Sequence, residues 1–283
     1  AVLTAARLVC TVCAFGAYRV VKRLNSSTGI TTEPPVTDIS GRIIPNHTDI
    51  AKSVLSPEFF VRDGKGRMTY SDPAVKTYTG IDVSVFQGDI DWDAVKNDGI
   101  DFVMLRVGYR GYGQKGIMGK DDKFDSNYEG AKKAGLKVGA YFFSQAANES
   151  EAREEAAFVL DAVRDCPLDY PIAYDWEFVD NGEARTNGMT SEDITVCAKA
   201  FCEAIKSAGK VPVIYFNCET GYFNYDLPQV KDYDFWLAEY YDTPSFYYNY
   251  KMWQYSKTGS VDGISGDVDM NISIVDFSGS ALG

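Results

Sequence analysis

Residues 170–177 read Tyr170-Pro171-Ile172-Ala173-Tyr174-Asp175-Trp176-Glu177, an apolar run that ends in two acidic residues around a tryptophan. A short apolar run of this kind predicts a buried β-strand. Successive residues of a strand point to opposite faces, so Asp175 and Glu177 share one face, with β-carbons about 6.5 to 7 Å apart. Two carboxylates at that separation repel each other, which favours a proton on one of them near neutral pH.

Strand-like and helix-like segments alternate on both sides of this strand. Strand–helix alternation is typical of a parallel sheet, and eight strands within about 200 residues indicate a closed, TIM-like β/α barrel. Because helices are clear only between the first five strands, we expect an irregular barrel of about five β/α units followed by three β strands. The strands are predicted at residues 81–85, 102–107, 137–143, 170–174, 211–215, 235–239, 252–255 and 269–274, and the helices at residues 92–97, 126–134, 150–163 and 190–208.

Charge and histidine content exclude several classes of protein. Residues 1–77 hold ten Lys and Arg against six Asp and Glu, whereas residues 78–283 hold eighteen against thirty-four. The second part is strongly acidic and would repel the phosphates of a nucleic acid. The single histidine is His47, so residues 78–283 cannot by themselves build a Ser-His-Asp triad, a Cys-His pair or a His-ligated zinc site. Their chemistry must rest on carboxylates, tyrosines, lysines or thiols.

The six cysteines fit no metal-binding pattern. Cys10 and Cys13 form a C-x-x-C inside an apolar run, which does not favour a redox or metal role. Cys197 and Cys202 lie five residues apart on a predicted helix and on different faces. We interpret the cysteines as buried thiols, with a single disulfide as the alternative, and we expect neither a metal nor a cofactor.

The composition divides the chain into three regions. Residues 1–24 are mostly apolar and predict a signal-anchor, the remnant of a signal peptide or an amphipathic helix. Residues 25–77 are predicted to be a linker and an irregular segment, because their first part is rich in Ser, Thr, Gly and Pro. Residues 78–283 are the predicted barrel domain. Basic residues at 19, 22 and 23 would leave that domain in the cytoplasm by the positive-inside rule, unless basic residues upstream reverse the bias.

Four acidic residues fall near the ends of predicted strands. Asp82 lies in the first strand, Asp175 and Glu177 end the fourth, and Asp269 opens the last. An acid in a barrel strand is costly unless it is paired or faces a site, and the working face of such a barrel lies at the C-terminal ends of its strands. Individually, these acids are equally well explained as caps, solvated edges or ion pairs. Together they predict a carboxylate site, and a protonated acid beside an ionised one is what hydrolysis of a glycosidic bond requires.

Aromatic residues crowd the later half of the chain. Flat rings with polar tips suit the faces of sugars, since they combine apolar contact with a hydrogen bond. Packing in the core or in loops is the alternative for more than half of them. The candidates for sugar binding are Tyr141, Tyr215, Trp236, Trp253 and Tyr255.

The acids and aromatics belong to an ordered series of motifs. Residues 80–88 read Gly-Ile-Asp-Val-Ser-Val-Phe-Gln-Gly, with Ile-Asp-Trp at residues 90–92. The series resembles the glycoside hydrolase family 25 lysozymes, the Chalaropsis-type muramidases, over residues 78–278. Each motif alone is unspecific, whereas the ordered series is highly specific. Its further members lie at residues 102–109, 139–143, 175–177, 236–240, 253–255 and 268–271.

The resemblance implies a flattened, irregular β/α barrel that cleaves the β-1,4 bond between N-acetylmuramic acid and N-acetylglucosamine in peptidoglycan. By motif, Glu177 matches the family's acid and Asp175 its partner. Asp82 and Asp269 match its two flanking aspartates. Glu239 stands where many relatives have a neutral residue, and it joins the candidates for substrate binding. The implied partner is the peptidoglycan glycan strand. The implied protein is a monomeric catalytic domain outside the cell or at its surface, with its N-terminal segment as a potential membrane anchor.

We expect Glu177 to protonate the leaving oxygen, since neighbouring acids and partial burial should raise its pKa. Asp175 is too close in sequence to reach the opposite face of the sugar. It is expected to orient the 2-acetamido group of the substrate, whose carbonyl then attacks the anomeric carbon. Two alternatives stay open. One is a chitinase-like glycosidase, whose longer motif needs aspartates at the positions of Ala173 and Tyr170, and the other is a catalytically silent glycan-binding barrel.

Overall fold

The computed structural model describes residues 35–279. These residues fall into two units, one that ends at Asn46 and one that begins at His47. The membrane-associated segment predicted at residues 1–24 lies outside the described residues, as does the start of the predicted linker. Within the described range, no helix combines the length and apolar character that crossing a membrane requires.

The second unit is built around a closed β-barrel. The strands of the described chain are β1 (Phe60–Arg62), β2 (Met68–Tyr70), β3 (Tyr78–Val83), β4 (Phe102–Arg110), β5 (Met118–Lys120), β6 (Lys137–Ser144), β7 (Ile172–Trp176), β8 (Pro212–Asn217), β9 (Asp234–Ala238), β10 (Met252–Gly259) and β11 (Val268–Ser273). Hydrogen bonding runs in the order β3-β11-β10-β9-β8-β7-β6-β4, and pairing of β3 with β4 closes the ring, while β5 pairs with the end of β4. The predicted eight-stranded β/α barrel is confirmed.

Helices follow each of the first five barrel strands. Short helices α5 and α6, which the sequence pattern did not indicate, follow β8, and no helix of the described chain lies between β9, β10 and β11. The predicted arrangement of five β/α units followed by three strands therefore describes the fold. The helices are α1 (Trp92–Asn97), α2 (Phe124–Lys133), α3 (Glu149–Ala162), α4 (Ser191–Ser207), α5 (Cys218–Phe223) and α6 (Leu227–Val230).

Strand β11 departs from the expected parallel sheet. It runs antiparallel to both of its neighbours, β10 and β3, whereas the other seven barrel strands are parallel. The start of β11 therefore lies at the C-terminal ends of the other strands. In this register Asp269 pairs directly with Asp82, so the reversed strand brings its first acid to the working face of the barrel.

Large aromatic side chains fill the floor of the barrel. The ring of Phe102 stacks on Tyr170 with centroids 4.4 Å apart, and Phe277, near the end of the described chain, meets Tyr170 edge-on at 5.4 Å. A Cβ atom at Gly80 would lie 2.2 Å from the Phe102 ring, so only glycine fits beside it. The filled floor leaves the opposite end of the barrel as the place for a site.

Residues 57–71 correct the expectation of an irregular segment before the barrel. They form a short 3-10 helix and the antiparallel β1–β2 hairpin, in which Phe60 pairs with Tyr70. Phe60 packs edge-on against Trp253 of β10, with centroids 5.1 Å apart, and Arg67 makes a buried ion pair with Asp98. The hairpin therefore covers the outer face of β10, and no helix lies between this strand and β11.

The interpretation of the cysteines as buried thiols holds for two of the described ones. Cys197 and Cys202 are free thiols buried in α4, whereas Cys166 is a free thiol that is only partly buried and Cys218 is partly buried as well. Cys10 and Cys13 lie outside the described residues.

Candidate active site

A cavity of about 310 Å³ opens at the C-terminal ends of the parallel strands. The four acids that the sequence predicted as a cluster, Asp82, Asp175, Glu177 and Asp269, all line it. The remaining side chains of its lining are Ser84, Phe86, Gln87, Arg106, Tyr141, Phe143, Tyr215, Trp236, Tyr240, Gln254 and Lys257.

Strand β7 places two of the four carboxyl groups. Its side chains alternate, so Tyr174 packs outward against Phe201 of α4 with centroids 5.1 Å apart, whereas Asp175 faces the cavity. Glu177 follows the last residue of the strand, and its backbone carbonyl accepts a hydrogen bond from Nε2 of Gln145 at 2.8 Å. This bond fixes the backbone where the Glu177 side chain enters the cavity.

The other two carboxyl groups face each other across the β3–β11 ladder. Oδ2 of Asp82 accepts hydrogen bonds from Nε2 of Gln254 and Nδ2 of Asn271, both at 2.8 Å. The indole N–H of Trp236 donates to Oδ1 of Asn271, also at 2.8 Å. Two amide groups thus hold the Asp82 carboxyl in a fixed orientation beside Asp269.

The four carboxyl groups share one electrostatic environment. Burial is the largest cause of a raised pKa at each of them. The charge of Glu177 raises the pKa of Asp175 further, and the charge of Asp269 does the same at Glu177 and Asp82. A hydrogen bond between Asp175 and Glu177 raises the pKa of Asp175 and lowers that of Glu177, so these two carboxyl groups titrate as a pair.

Asp175 has an unused hydrogen-bonding atom. Its Oδ1 is buried and has no hydrogen-bond partner among the described residues. A buried polar atom without a partner costs free energy. A donor on a bound ligand would recover that free energy.

Arg106 is one of two cations in the cavity lining. Its Nε donates to Oδ2 of Asp121 at 2.8 Å, and the same oxygen accepts from the backbone N–H of Val85 at 3.0 Å. The guanidinium lies 4.9 Å from the ring centroid of Phe86, which is 81% exposed at the rim. The ion pair ties β4 to the turn after β3 and supports an exposed aromatic ring.

Three of the predicted sugar-binding residues line the cavity. Tyr215 and Trp236 meet edge-on with centroids 4.9 Å apart, and Tyr141 meets Trp236 at 6.3 Å. The hydroxyl of Tyr215 donates to Oε1 of Gln254 at 2.9 Å. Burial raises the pKa of Tyr141 and Tyr215 well above the usual value, so both hydroxyls stay protonated as donors.

The other three predicted sugar-binding residues do not line the cavity. Trp253 and Tyr255 face outward on β10, and the indole N–H of Trp253 donates to the backbone carbonyl of Glu239 at 2.7 Å. The carboxylate of Glu239 is turned toward Ser245, accepting from its backbone N–H at 2.7 Å and from its hydroxyl. Glu239 therefore anchors the loop after β9. Trp253 and Tyr255 were selected as aromatic residue types without regard to the alternation of the strand, which turns both away from the cavity. Glu239 was selected because many relatives have a neutral residue there.

The sequence prediction missed several polar residues of the site, and Gln254 is the clearest case. It joins Asp82 to the hydroxyls of Tyr215 and Tyr240, both of which donate to its Oε1. The available signal was the period of two in residues 253–255, which puts the glutamine on the face opposite both aromatics. The site further includes Arg106, Tyr240, Lys257 and Asn271, which no spacing rule identified.

Within residues 35–279, no group of three or more His, Cys, Asp or Glu side chains has an arrangement that could hold a metal ion. The candidate site thus consists of carboxyl groups, amides, tyrosines and two cations.

A β/α barrel with paired carboxyl groups at its strand ends has the architecture of a glycoside hydrolase. The family model described as Glycosyl hydrolases family 25 matches residues 81–264, and the chain belongs to that family. The resemblance noted in the sequence is thereby confirmed.

Two relatives named as lysozymes are about 30% identical to this chain over the residues that match. Lysozyme M1 of Streptomyces globisporus is 31% identical over 215 residues, which cover 71% of this chain and 68% of the relative. The autolytic lysozyme of Clostridium acetobutylicum is 30% identical over 194 residues, or 68% of this chain and 54% of the relative. The chain therefore spans only about half the length of the clostridial enzyme.

A solved structure supports the fold. The modular autolysin LytC of Streptococcus pneumoniae, crystallised with a synthetic peptidoglycan ligand, superimposes with a TM-score of 0.63. The two chains are 21% identical, and the match covers 84% of this chain and 56% of LytC. At this identity the likeness concerns the barrel architecture.

Proposed function

We propose that this protein is a peptidoglycan hydrolase that cleaves the β-1,4 bond between N-acetylmuramic acid and N-acetylglucosamine. The observation that carries the proposal is the enclosure of Asp175 and Glu177 with Asp82 and Asp269 in one cavity at the working face of the barrel. Membership of the family and the lysozyme names of two relatives support the same substrate class.

Glu177 serves as the general acid in this proposal. Burial and the charge of Asp269 raise the pKa of Glu177, against a smaller lowering by its hydrogen bond to Asp175, and a raised pKa favours the protonated form that a general acid needs. The proton passes to the glycosidic oxygen as the bond to the anomeric carbon breaks, and the bonding electron pair stays on that oxygen.

Asp175 positions the internal nucleophile. Its unpartnered Oδ1 accepts the N–H of the 2-acetamido group and aims the acetamido carbonyl oxygen at the anomeric carbon. That oxygen forms the new bond as the leaving group departs. Water then attacks the same carbon, returns the electron pair to the acetamido group and gives its proton to Glu177. Two displacements retain the anomeric configuration, in the substrate-assisted variant of glycoside hydrolysis.

Asp82 and Asp269 maintain the charge pattern and contact sugar hydroxyls or water. Tyr141 and Tyr215 donate hydrogen bonds to the sugar at the cavity, and Trp236 offers an apolar wall beside them. The arrangement of these groups around one opening of about 310 Å³ supports their assignment to the same substrate.

We place the enzyme outside the cell or at its surface, as a monomeric catalytic domain, because its proposed substrate is the cell wall. Residues 1–24 would supply the export signal or membrane anchor. The relatives named lysozyme and autolytic lysozyme support a wall-directed role.

The proposal is tested with purified peptidoglycan and with chitin, by measuring new reducing ends over time. We expect product from peptidoglycan and little or none from chitin. The chitinase-like motif would need acids where Ala173 packs in the core and Tyr170 stacks on the barrel floor. Binding without product would make the barrel a glycan-binding module, and faster release from chitin would make it a chitinase.

A further inference from the structure

A second cavity lies on the outer side of strand β10. It encloses about 240 Å³ between β10 and the β1–β2 hairpin. No acidic side chain occurs among the described residues that line it, in contrast to the four acids of the first cavity. Its lining includes the basic residues Arg62, Lys65 and Arg67 and the hydroxyl residues Ser256, Thr258 and Ser260.

The second cavity also has a buried tyrosine in its wall. Tyr255 is only 3% exposed, and the guanidinium of Arg62 lies 5.8 Å from its ring centroid. Burial raises the pKa of Tyr255, and the backbone of Met68 hydrogen-bonds to its hydroxyl. The basic side chains beside this ring are suited to an acceptor that carries negative charge.

The basic side chains differ in how firmly they are held. Arg62 pairs with Asp242 at 3.1 Å, with side chains 41% and 90% exposed, and donates to the backbone carbonyl of Gly66 at 2.8 Å. Solvent-exposed ion pairs are weak, so Arg62 can turn to a ligand carboxylate at small cost. Lys65 is 57% exposed, but its partner Asp98, 2.5 Å away, is only 6% exposed. Arg67 is fixed by a buried pair with the same Asp98, and it keeps that carboxylate paired when Lys65 turns toward a ligand.

The two cavities lie on opposite faces of β10. Ser256 and Thr258 line the second cavity, whereas Lys257 between them faces the first, as strand alternation requires. Strand β10 pairs with β9 only as far as Gln254, opposite Ala238. Beyond that point no described strand pairs with this edge of β10, so a ligand can pass around it from one face to the other.

We propose that the second cavity binds the carboxylates of a short acidic peptide attached to the sugar in the first cavity. This inference rests on the proposed function, because in peptidoglycan a stem peptide with free carboxylates extends from muramic acid. The β1–β2 hairpin precedes the residues that match the family, 81–264. The basic side chains of the second cavity therefore lie outside the family match, whereas its hydroxyl residues on and after β10 lie within it.

The test compares intact peptidoglycan with glycan strands from which an amidase has removed the peptides. The double variant Arg62→Gln with Lys65→Gln should raise KM on intact peptidoglycan about three- to tenfold and leave kcat unchanged, since two exposed charge contacts are lost. Its KM on peptide-free strands should not change. The control, Lys133→Gln with Lys206→Gln, removes the same charge from exposed helix positions. It should leave KM and kcat unchanged on both substrates.

Three results would overturn the inference: an unchanged KM on intact peptidoglycan, an equal rise on both substrates, or an equal rise in the control. A third substrate is intact peptidoglycan whose peptide carboxylates have been amidated. On this substrate the double variant should have the same KM as the native protein. A rise in KM as large as on unmodified peptidoglycan would contradict recognition of carboxylates. Failure of the proposed function looks different, because the unaltered protein would then release no product from any of these substrates, and the inference would fall with it.

Discussion

Asp175 and Glu177 lie in one cavity for a local reason, since a strand carries residues two positions apart to the same face. The intervening Trp176 is fully buried on the other face. This part of the site could be predicted from the sequence. The direction of each pKa shift could be predicted only in part, because burial is its largest cause and burial depends on the whole barrel.

The first prediction concerns the proton on Glu177. Glu177→Gln keeps the shape of the side chain and removes the transferable proton, so kcat on peptidoglycan should fall by about 10²- to 10⁴-fold, the typical range for general acid catalysis. Asp175→Asn should cause a large but smaller loss. Steady-state kinetics measures both, with circular dichroism to establish that the fold is intact. Near-normal turnover by Glu177→Gln would remove this residue from the role of acid.

The second prediction concerns stability and pH. Burial and the charge of Glu177 raise the pKa of Asp175 above the unfolded-state value of about 3.8. The folded state therefore binds this proton more tightly, and the associated stability, fully present below that value, is lost as pH rises through the folded-state pKa. The asparagine side chain of Asp175→Asn does not titrate, so the stability of this variant does not fall with pH for this reason.

We expect Asp175→Asn to raise Tm by about 2–4 °C near neutral pH, which corresponds to about 1 kcal/mol for a domain of this size. The gain should shrink toward about pH 3, where the native aspartate is protonated in both states. Calorimetry across this pH range measures the difference. A gain that is constant with pH, or a loss at neutral pH, would contradict a raised pKa at this position.

At the scale of elements, the eight barrel strands and the five β/α units could be predicted from periodicity, but the direction of β11 was not. Only residues 260–267 separate β10 from β11. A parallel crossover needs a dozen or more residues, so this short connection was a signal for an antiparallel pair. The direction matters, because it places Asp269 opposite Asp82.

Strand β10 carries the third prediction. Gln254→Leu removes one of two amide donors to Asp82 and leaves the hydroxyls of Tyr215 and Tyr240 without their acceptor. Hydrogen bonds to charged groups contribute about 1.5–3 kcal/mol, so activity should fall by about 10- to 100-fold. The pH–rate profile should shift as well, since a positioning residue alters the titration of the acids.

Gln254→Glu provides a contrasting variant, because it adds a carboxyl beside Asp82 and should raise the pKa values of the cluster further. Identical pH profiles for the native protein and both variants would show that Gln254 acts only in packing.

At the scale of the whole molecule, the barrel depends on residues that precede the family match. Among the described residues no helix separates β10 from β11, and Phe60 of the hairpin packs on Trp253 of β10 in place of a helix. The sequence pattern did not reveal this role, because each hairpin strand is only three residues long. Periodicity cannot be recognised over so short a run.

The fourth prediction follows from this packing. Phe60→Ala should lower the free energy of unfolding by about 3–5 kcal/mol, the usual cost of removing a buried phenylalanine. Val61→Ala, next to it but 42% exposed, should change stability by less than about 0.5 kcal/mol. Urea unfolding followed by tryptophan fluorescence measures both. Equal, small effects would mean that the hairpin does not stabilise the barrel.

The carboxyl cluster should cut one particular bond of peptidoglycan, between N-acetylmuramic acid and N-acetylglucosamine. Mass spectrometry of the soluble products, after borohydride reduction, identifies the sugar at each new reducing end. We expect N-acetylmuramic acid at that end for the native protein and no new ends for Glu177→Gln. N-acetylglucosamine at the reducing end, or equal product from both proteins, would refute the proposed cleavage.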